Sequence, residues 1–173
     1  MTAGVALVAA GVAPMTAAAQ PKTSSSASHC LYRQLRITTG QADGATGHLS
    51  FRVHFTNHSH KTCTLYGYPG VEALNSHGRP NMEAKRTKDG FMGGVGPGHK
   101  IQTATLAHGQ VATAIVEGTD VPTGNKKSCP QAVAFRITPP NDGIAKLVER
   151  TMPECSRIQV HPVVKGRTGQ RQG

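Results

Sequence analysis

Leu49, Phe51, Val53 and Phe55 alternate with His48, Ser50, Arg52, His54 and Thr56. This is the two-residue period of a strand with one face buried, and it predicts a strand over 48–56. Weaker forms of the pattern predict strands at 32–38, 62–65, 71–75, 101–106, 110–117, 132–138 and 156–163. Turn-forming clusters separate them: Asp43-Gly44, Tyr68-Pro69-Gly70, His108-Gly109 and Pro139-Pro140-Asn141-Asp142-Gly143. Only Ile144–Arg150 has the composition of a short helix, with Pro153 to stop it. About seven to eight short strands with turns between them predict an all-β antiparallel sandwich, with a partly open barrel as the competing architecture.

The two ends break this pattern. Residues 3–13 are small and apolar, Pro14 ends the run, and Ala17-Ala18-Ala19 fits the cleavage pattern of a secretory signal peptide, expected over 1–19. No Lys or Arg precedes Lys22, so the usual basic leader is missing, and a start upstream of Met1 is one reading of this. The apolar run is too short to span about 30 Å of hydrocarbon. No Cys follows it directly, so a lipid-modified terminus has no acceptor thiol. Residues 20–28 are polar, Ser-rich and expected to be a disordered linker; 165–173 read as a basic flexible tail. The folded domain is expected over 29–164, and the protein is expected to be secreted or associated with the cell envelope.

Cys30, Cys63, Cys129 and Cys155 form an even set in an exported chain, which favours disulfides. Three connectivities are possible. Cys30–Cys63 with Cys129–Cys155 is favoured, because each pair is nearest in sequence and lies within one half of the domain. The closest two cysteines are 26 residues apart, unlike the short pairs of zinc sites. Each bridge would close about 25–35 residues and contribute about 3–4 kcal/mol in the chain-entropy model. That is a large contribution in a chain with four Phe and no Trp.

The stretch from Thr56 to Val71, Thr-Asn-His-Ser-His-Lys-Thr-Cys-Thr-Leu-Tyr-Gly-Tyr-Pro-Gly-Val, resembles the core signature of the domain of unknown function 4232 family, exported proteins of actinobacteria. Other pieces fall in the same order: Cys30 before the first strand, Leu106-Ala107-His108-Gly109 at a turn, and Cys129 before a strand ending in Thr138-Pro139-Pro140. His108 stands where the family often has Pro. The resemblance covers 29–164 and implies an immunoglobulin-like sandwich. It implies no catalytic residues.

Candidate chemistry is sparse. His54, His58 and His60 are the densest histidine run, but in a strand leading to a turn they do not converge. His54 shares an outward face with His48 and Arg52, so a solvated histidine is expected there, and no metal site. No nucleophile elbow accompanies Ser, His and Asp. No catalytic residue and no cofactor are therefore expected, with a hydrolase built on histidines of segment 48–60 as the alternative. The run Gly93-Gly94-Val95-Gly96-Pro97-Gly98 lacks the Lys and helix of a phosphate cradle and is expected to be a mobile loop. Asn57-His58-Ser59 is formally a glycosylation sequon. Pro69-Gly70 suits the centre of a type II turn, with Gly70 at positive φ. Tyr66 and Tyr68 bracket Gly67 on one face; a corner with bonded hydroxyls is expected, and a stacking platform for a sugar or other ligand is the alternative.

Charge supplies the remaining functional feature. Nineteen Lys plus Arg stand against nine Asp plus Glu, a net charge of +10. Export argues against nucleic acid, and the aromatics do not interleave with the cations as stacking platforms do. For a monomeric, non-enzymatic binding module the charge has two equal readings: an anionic envelope polymer or lipid head group as partner, or colloidal solubility with no partner. No linear basic motif dominates: the cations are spread along the whole mature chain.

Overall fold

The computed structural model describes residues 27–170, together with Met1. The expected signal peptide and most of the Ser-rich linker lie outside the described residues. Backbone pairing defines β1 (Leu35–Ala45), β2 (His48–Asn57), β3 (Cys63–Leu65), β4 (Gly70–Leu74), β5 (Pro80–Glu83), β6 (Lys85–Arg86), β7 (Ala104–Leu106), β8 (Val111–Thr119), β9 (Gln131–Thr138), β10 (Lys146–Pro153), β11 (Gln159–Val160) and β12 (Val164–Lys165). Each of the eight expected strands contains or overlaps one of these. The additional ones are mostly short edge pairings.

One sheet runs β1-β2-β8-β11-β6, with β12 also on β8; a second runs β10-β9-β4-β5; β3 and β7 form a two-stranded ribbon. The neighbour orders β1-β2-β8 and β10-β9-β4-β5 are those of the two faces of an immunoglobulin-like sandwich. Pairing is antiparallel throughout these sheets except between β11 and β6. The inward residues of β2 are Phe51, Val53 and Phe55, as the alternation requires, and they meet Phe135 and Ile137 of β9 in one core. Phe51 and Phe135 touch with ring centroids 5.0 Å apart, at the centre where immunoglobulin domains place their inter-sheet disulfide.

The disulfides lie elsewhere. Cys30–Cys63 ties the chain just before β1 to β3, and Cys129–Cys155 ties the entry of β9 to the exit of β10, each with Cα atoms 4.8 Å apart. This is the expected pairing. Cys30–Cys63 is fully buried as part of the core, whereas Cys129–Cys155 is partly exposed at the end of the β9–β10 pair.

Segment 144–150 departs from expectation. Ile144, Leu147 and Val148 have helical spacing, yet Lys146–Pro153 pairs with β9 as β10. A single helix of seven residues is marginal alone, whereas β9 offers a row of backbone partners and a core position for Val148. Between Glu149 and Met152 the register slips, and so does that of β1 between Thr39 and Ala42. Arg150 joins these two bulges, donating from Nη2 to Gly40 O at 2.7 Å with its guanidinium 5.4 Å above the Phe51 ring. A cation thus closes the open side between the sheets.

The positive φ expected at Gly70 occurs at Gly67 instead, at +87°. Gly70 already begins β4, opposite Thr138. The turn therefore lies three residues earlier, between the tyrosines.

β8 is buried on both faces. Ala112, Ala114 and Val116 face the core, while Thr113, Ile115 and Glu117 face outward under two covering segments. Gly93 comes from one segment and Gly169 from the other, and a Cβ on either would lie within 3 Å of Ile115 side-chain atoms. Only glycine permits that approach. The 93–98 run, expected to be a mobile loop, is thus part of a strap over the sheet, with Val95 buried. The tail expected to be free from 165 is also docked as far as 170. Gly166 N donates to Val111 O at 2.8 Å, Thr113 Oγ1 donates to Gly166 O at 2.7 Å, and Gln170 Nε2 donates to Met92 O at 3.0 Å.

Candidate functional site

Outward-facing Glu117 meets His161 beneath the strap, both side chains almost wholly buried at 2% and 0% exposure. His161 Nε2 lies 3.1 Å from Glu117 Oε2, within ion-pair reach though poorly aligned for a hydrogen bond. His161 Nδ1 donates to Thr87 O at 3.0 Å. Both ring nitrogens thus face oxygen atoms, Nδ1 the Thr87 carbonyl and Nε2 the Glu117 carboxyl group. The carboxylate also accepts the backbone N–H groups of Phe91 and Met92, at 3.1 and 2.7 Å. Burial pushes the Glu117 carboxyl up, but the His161 ring and these two N–H groups outweigh it and hold it below the ordinary range. The pair anchors the strap and is closed to substrate. Sequence reading missed it because an acid at an outward strand position normally faces water.

The histidines of segment 48–60 are dispersed. His48 stacks on Phe91 with centroids 4.2 Å apart, and His60 stacks on His108 at 5.2 Å. His54, expected to be solvated, is half-buried under the docked tail, with Nδ1 2.9 Å from Thr113 Oγ1. Burial, and then Arg167 and Arg52, lower its pKa and favour the neutral ring. Among the described residues no three His, Cys, Asp or Glu side chains are placed to hold a metal ion.

Asn57 of the formal sequon is fully buried. Its Nδ2 donates to Lys61 O and Leu106 O, both at 2.8 Å, and its Oδ1 accepts from Ser59 N and Oγ at 3.0 and 2.8 Å. It is a structural knot at the end of β2, inaccessible to glycosylation in the folded chain.

Two surface hollows flank the turn at 139–143. The first, about 330 Å³, is lined by Tyr32, Arg33, Arg36, His58 and Lys146 with no carboxylate among its lining residues. The second, about 460 Å³, is lined by Tyr66, Tyr68, Arg86, Asn141 and Asp142. Asp142 links them: its Oδ2 accepts the Tyr32 N–H at 2.6 Å and its Oδ1 the Ile144 N–H at 2.9 Å. Neither tyrosine hydroxyl has a hydrogen-bond partner among the described residues, so the expected bonded corner is not formed. Tyr66 stands 52% exposed.

The stretch from Cys30 to the start of β12, which carries these features, is covered by one comparison. A family model described as a domain of unknown function (DUF4232) matches residues 30–164. The chain belongs to that family. No curated protein and no solved structure matches it. The matched span of the DUF4232 domain holds both disulfides, the buried ion pair and both hollows, and ends where β12 begins.

Glu154 is the other buried acid of the DUF4232 domain. Burial raises its pKa, only partly offset by the bond from Asn81 Nδ2. The folded state therefore holds its proton more tightly than the unfolded chain, and stability falls as pH rises from about 4.5 through the raised folded value. Glu154→Gln is expected to melt higher than the wild type at about pH 7, and the advantage should vanish below about pH 4. A melting series across this range checks it; an advantage confined to acid would refute it.

Proposed function

We propose that this protein is an exported, non-enzymatic module that binds an anionic polymer of the cell envelope through its cation-rich surface. The observation that carries the reading is the hollow lined by Arg33, Arg36, His58 and Lys146, free of lining carboxylates. Burial sharpens the charge imbalance, because Glu117 and Glu154 are withdrawn from a surface already short of acids. Asp43 and Glu72 are further engaged by Arg52 and Arg136. Two disulfides support export. No helix among the described residues is long and apolar enough to cross a membrane. The scatter of the histidines supports a binding role over hydrolysis.

The triple change Arg33→Gln, Arg36→Gln, Lys146→Gln is expected to weaken retention on isolated cell-wall material by about a hundredfold at low salt, at about 1 kcal/mol per cation. Wild-type retention should itself collapse at about 0.5 M salt. Retention that ignores salt or the triple change would refute the reading. Binding to anionic phospholipid vesicles but not to wall material would transfer the partner to lipid head groups.

A further inference from the structure

Tyr66 and Tyr68 are left unexplained by the fold. Gly67, at φ +87°, makes the turn that sets them side by side, and no neighbour lies within 4 Å of where its Cβ would be. Tyr66 is half exposed, and neither hydroxyl is bonded within the described chain. An exposed ring with a free hydroxyl in a distinctive segment contributes little to the sandwich, so its use lies outside it.

The rest of the hollow is polar and mixed in sign. Arg86, exposed on edge strand β6, is in no ion pair among the described residues. Asp142 is held by two backbone N–H groups, which fix its carboxylate at the rim while leaving lone pairs free. Asn141 sits at φ +56°, a conformation Asn adopts more readily than most residues, and it is exposed beside Asp142. The volume of about 460 Å³ is that of a small-ligand site.

These features select a ligand class. A simple anion would meet Asp142, and a wholly apolar ligand would desolvate Arg86 and Asp142 without replacing their hydrogen bonds. A pyranose ring presents an apolar C–H face to stack on tyrosine and a rim of hydroxyls that both donate and accept. We infer that the Tyr66–Tyr68 hollow is a carbohydrate subsite that stacks one pyranose on Tyr66 and holds its hydroxyls with Arg86, Asn141 and Asp142. The inference deepens the proposed function and rests on it only for the envelope as the source of the glycan. The cationic hollow lies across the Asp142–Tyr32 bond, so one polymer can engage both.

The test uses the mature chain and three neutral probes, the hexasaccharides of β-1,4-glucose, α-1,4-glucose and β-1,4-N-acetylglucosamine, titrated into labelled protein and read by amide chemical shifts. Working at about 0.5 M salt suppresses the cationic hollow. At least one probe is expected to shift the Tyr66, Gly67, Asn141 and Asp142 amides saturably. Tyr66→Ala and Asp142→Asn should each weaken it about tenfold, the loss of one stacking or hydrogen-bond contact. The Arg33, Arg36, Lys146 triple variant should bind the probe normally. No saturable shift in this hollow with any probe, or shifts indifferent to Tyr66→Ala in a variant whose spectrum remains folded, overturns the inference. Normal probe binding by a protein that fails to adhere to wall material would overturn the proposed function and leave the subsite standing.

Discussion

Glu117→Ala is expected to destabilise the protein by about 3–5 kcal/mol at neutral pH, read as a lower urea midpoint at unchanged slope. The variant removes the carboxylate that the fully buried His161 ring faces and strips the Phe91 and Met92 N–H groups of their acceptor. Glu117→Gln keeps an acceptor but not the charge, and should fall between Ala and the wild type. Removing His161 together with Glu117 should cost less than the two single changes added, because the contact between the two side chains can be lost only once. Additive costs, or a single cost below about 1 kcal/mol, would sink the ion-pair assignment.

The same pair sets an acid limb. The Glu117 carboxyl is held below its ordinary 4.5 in the folded state. Its contribution is therefore complete above about pH 4.5 and is lost as pH falls through the lower folded value. A stability profile of Glu117→Gln should be flatter than wild type over that interval.

The second large effect is expected at Asn57. Asn57→Ala removes both donors to Lys61 O and Leu106 O in a site with no exposure, at a cost of about 3 kcal/mol. Asn57→Asp should be no better, because it sets a carboxylate against the same two carbonyls. Ser59→Ala should cost less, about 1–2 kcal/mol, since its hydroxyl serves Asn57 Oδ1, Lys61 and Gln34 but sits at a partly exposed position where water can replace those bonds. Denaturant titrations of the three variants rank them, and an Asn57→Ala protein as stable as Ser59→Ala would remove the knot from the account.

How legible each feature was follows from how local its cause is. β2 could be read directly, since five outward and four inward residues alternate within one short run. The disulfides could be paired because each closes the nearer of the possible loops. β10 could not be read, because Ile144, Leu147 and Val148 fit a helical face equally well; only the open edge of β9 decides against it. Asn57 looked like a sequon, and its role emerges only when β7 brings Leu106 O beside it. The Tyr66–Gly67–Tyr68 segment reads as a corner with bonded hydroxyls, but no described residue bonds either one, because hydroxyl partners depend on which loops the fold brings near.

By itself the sequence determined that this chain is all-β and which residues of β2 face the core, and it favoured the sandwich and the cysteine pairing that the fold adopts. Those properties follow from periodicity and chain distance, and both are written along the chain. Only the tertiary structure decided that the glycine run and the basic tail pack over β8, that Glu117 and His161 are buried together, and that two hollows flank the 139–143 turn. Each depends on segments distant in sequence covering the same face, and burial of that kind changes what a charge, a glycine or a tyrosine can do.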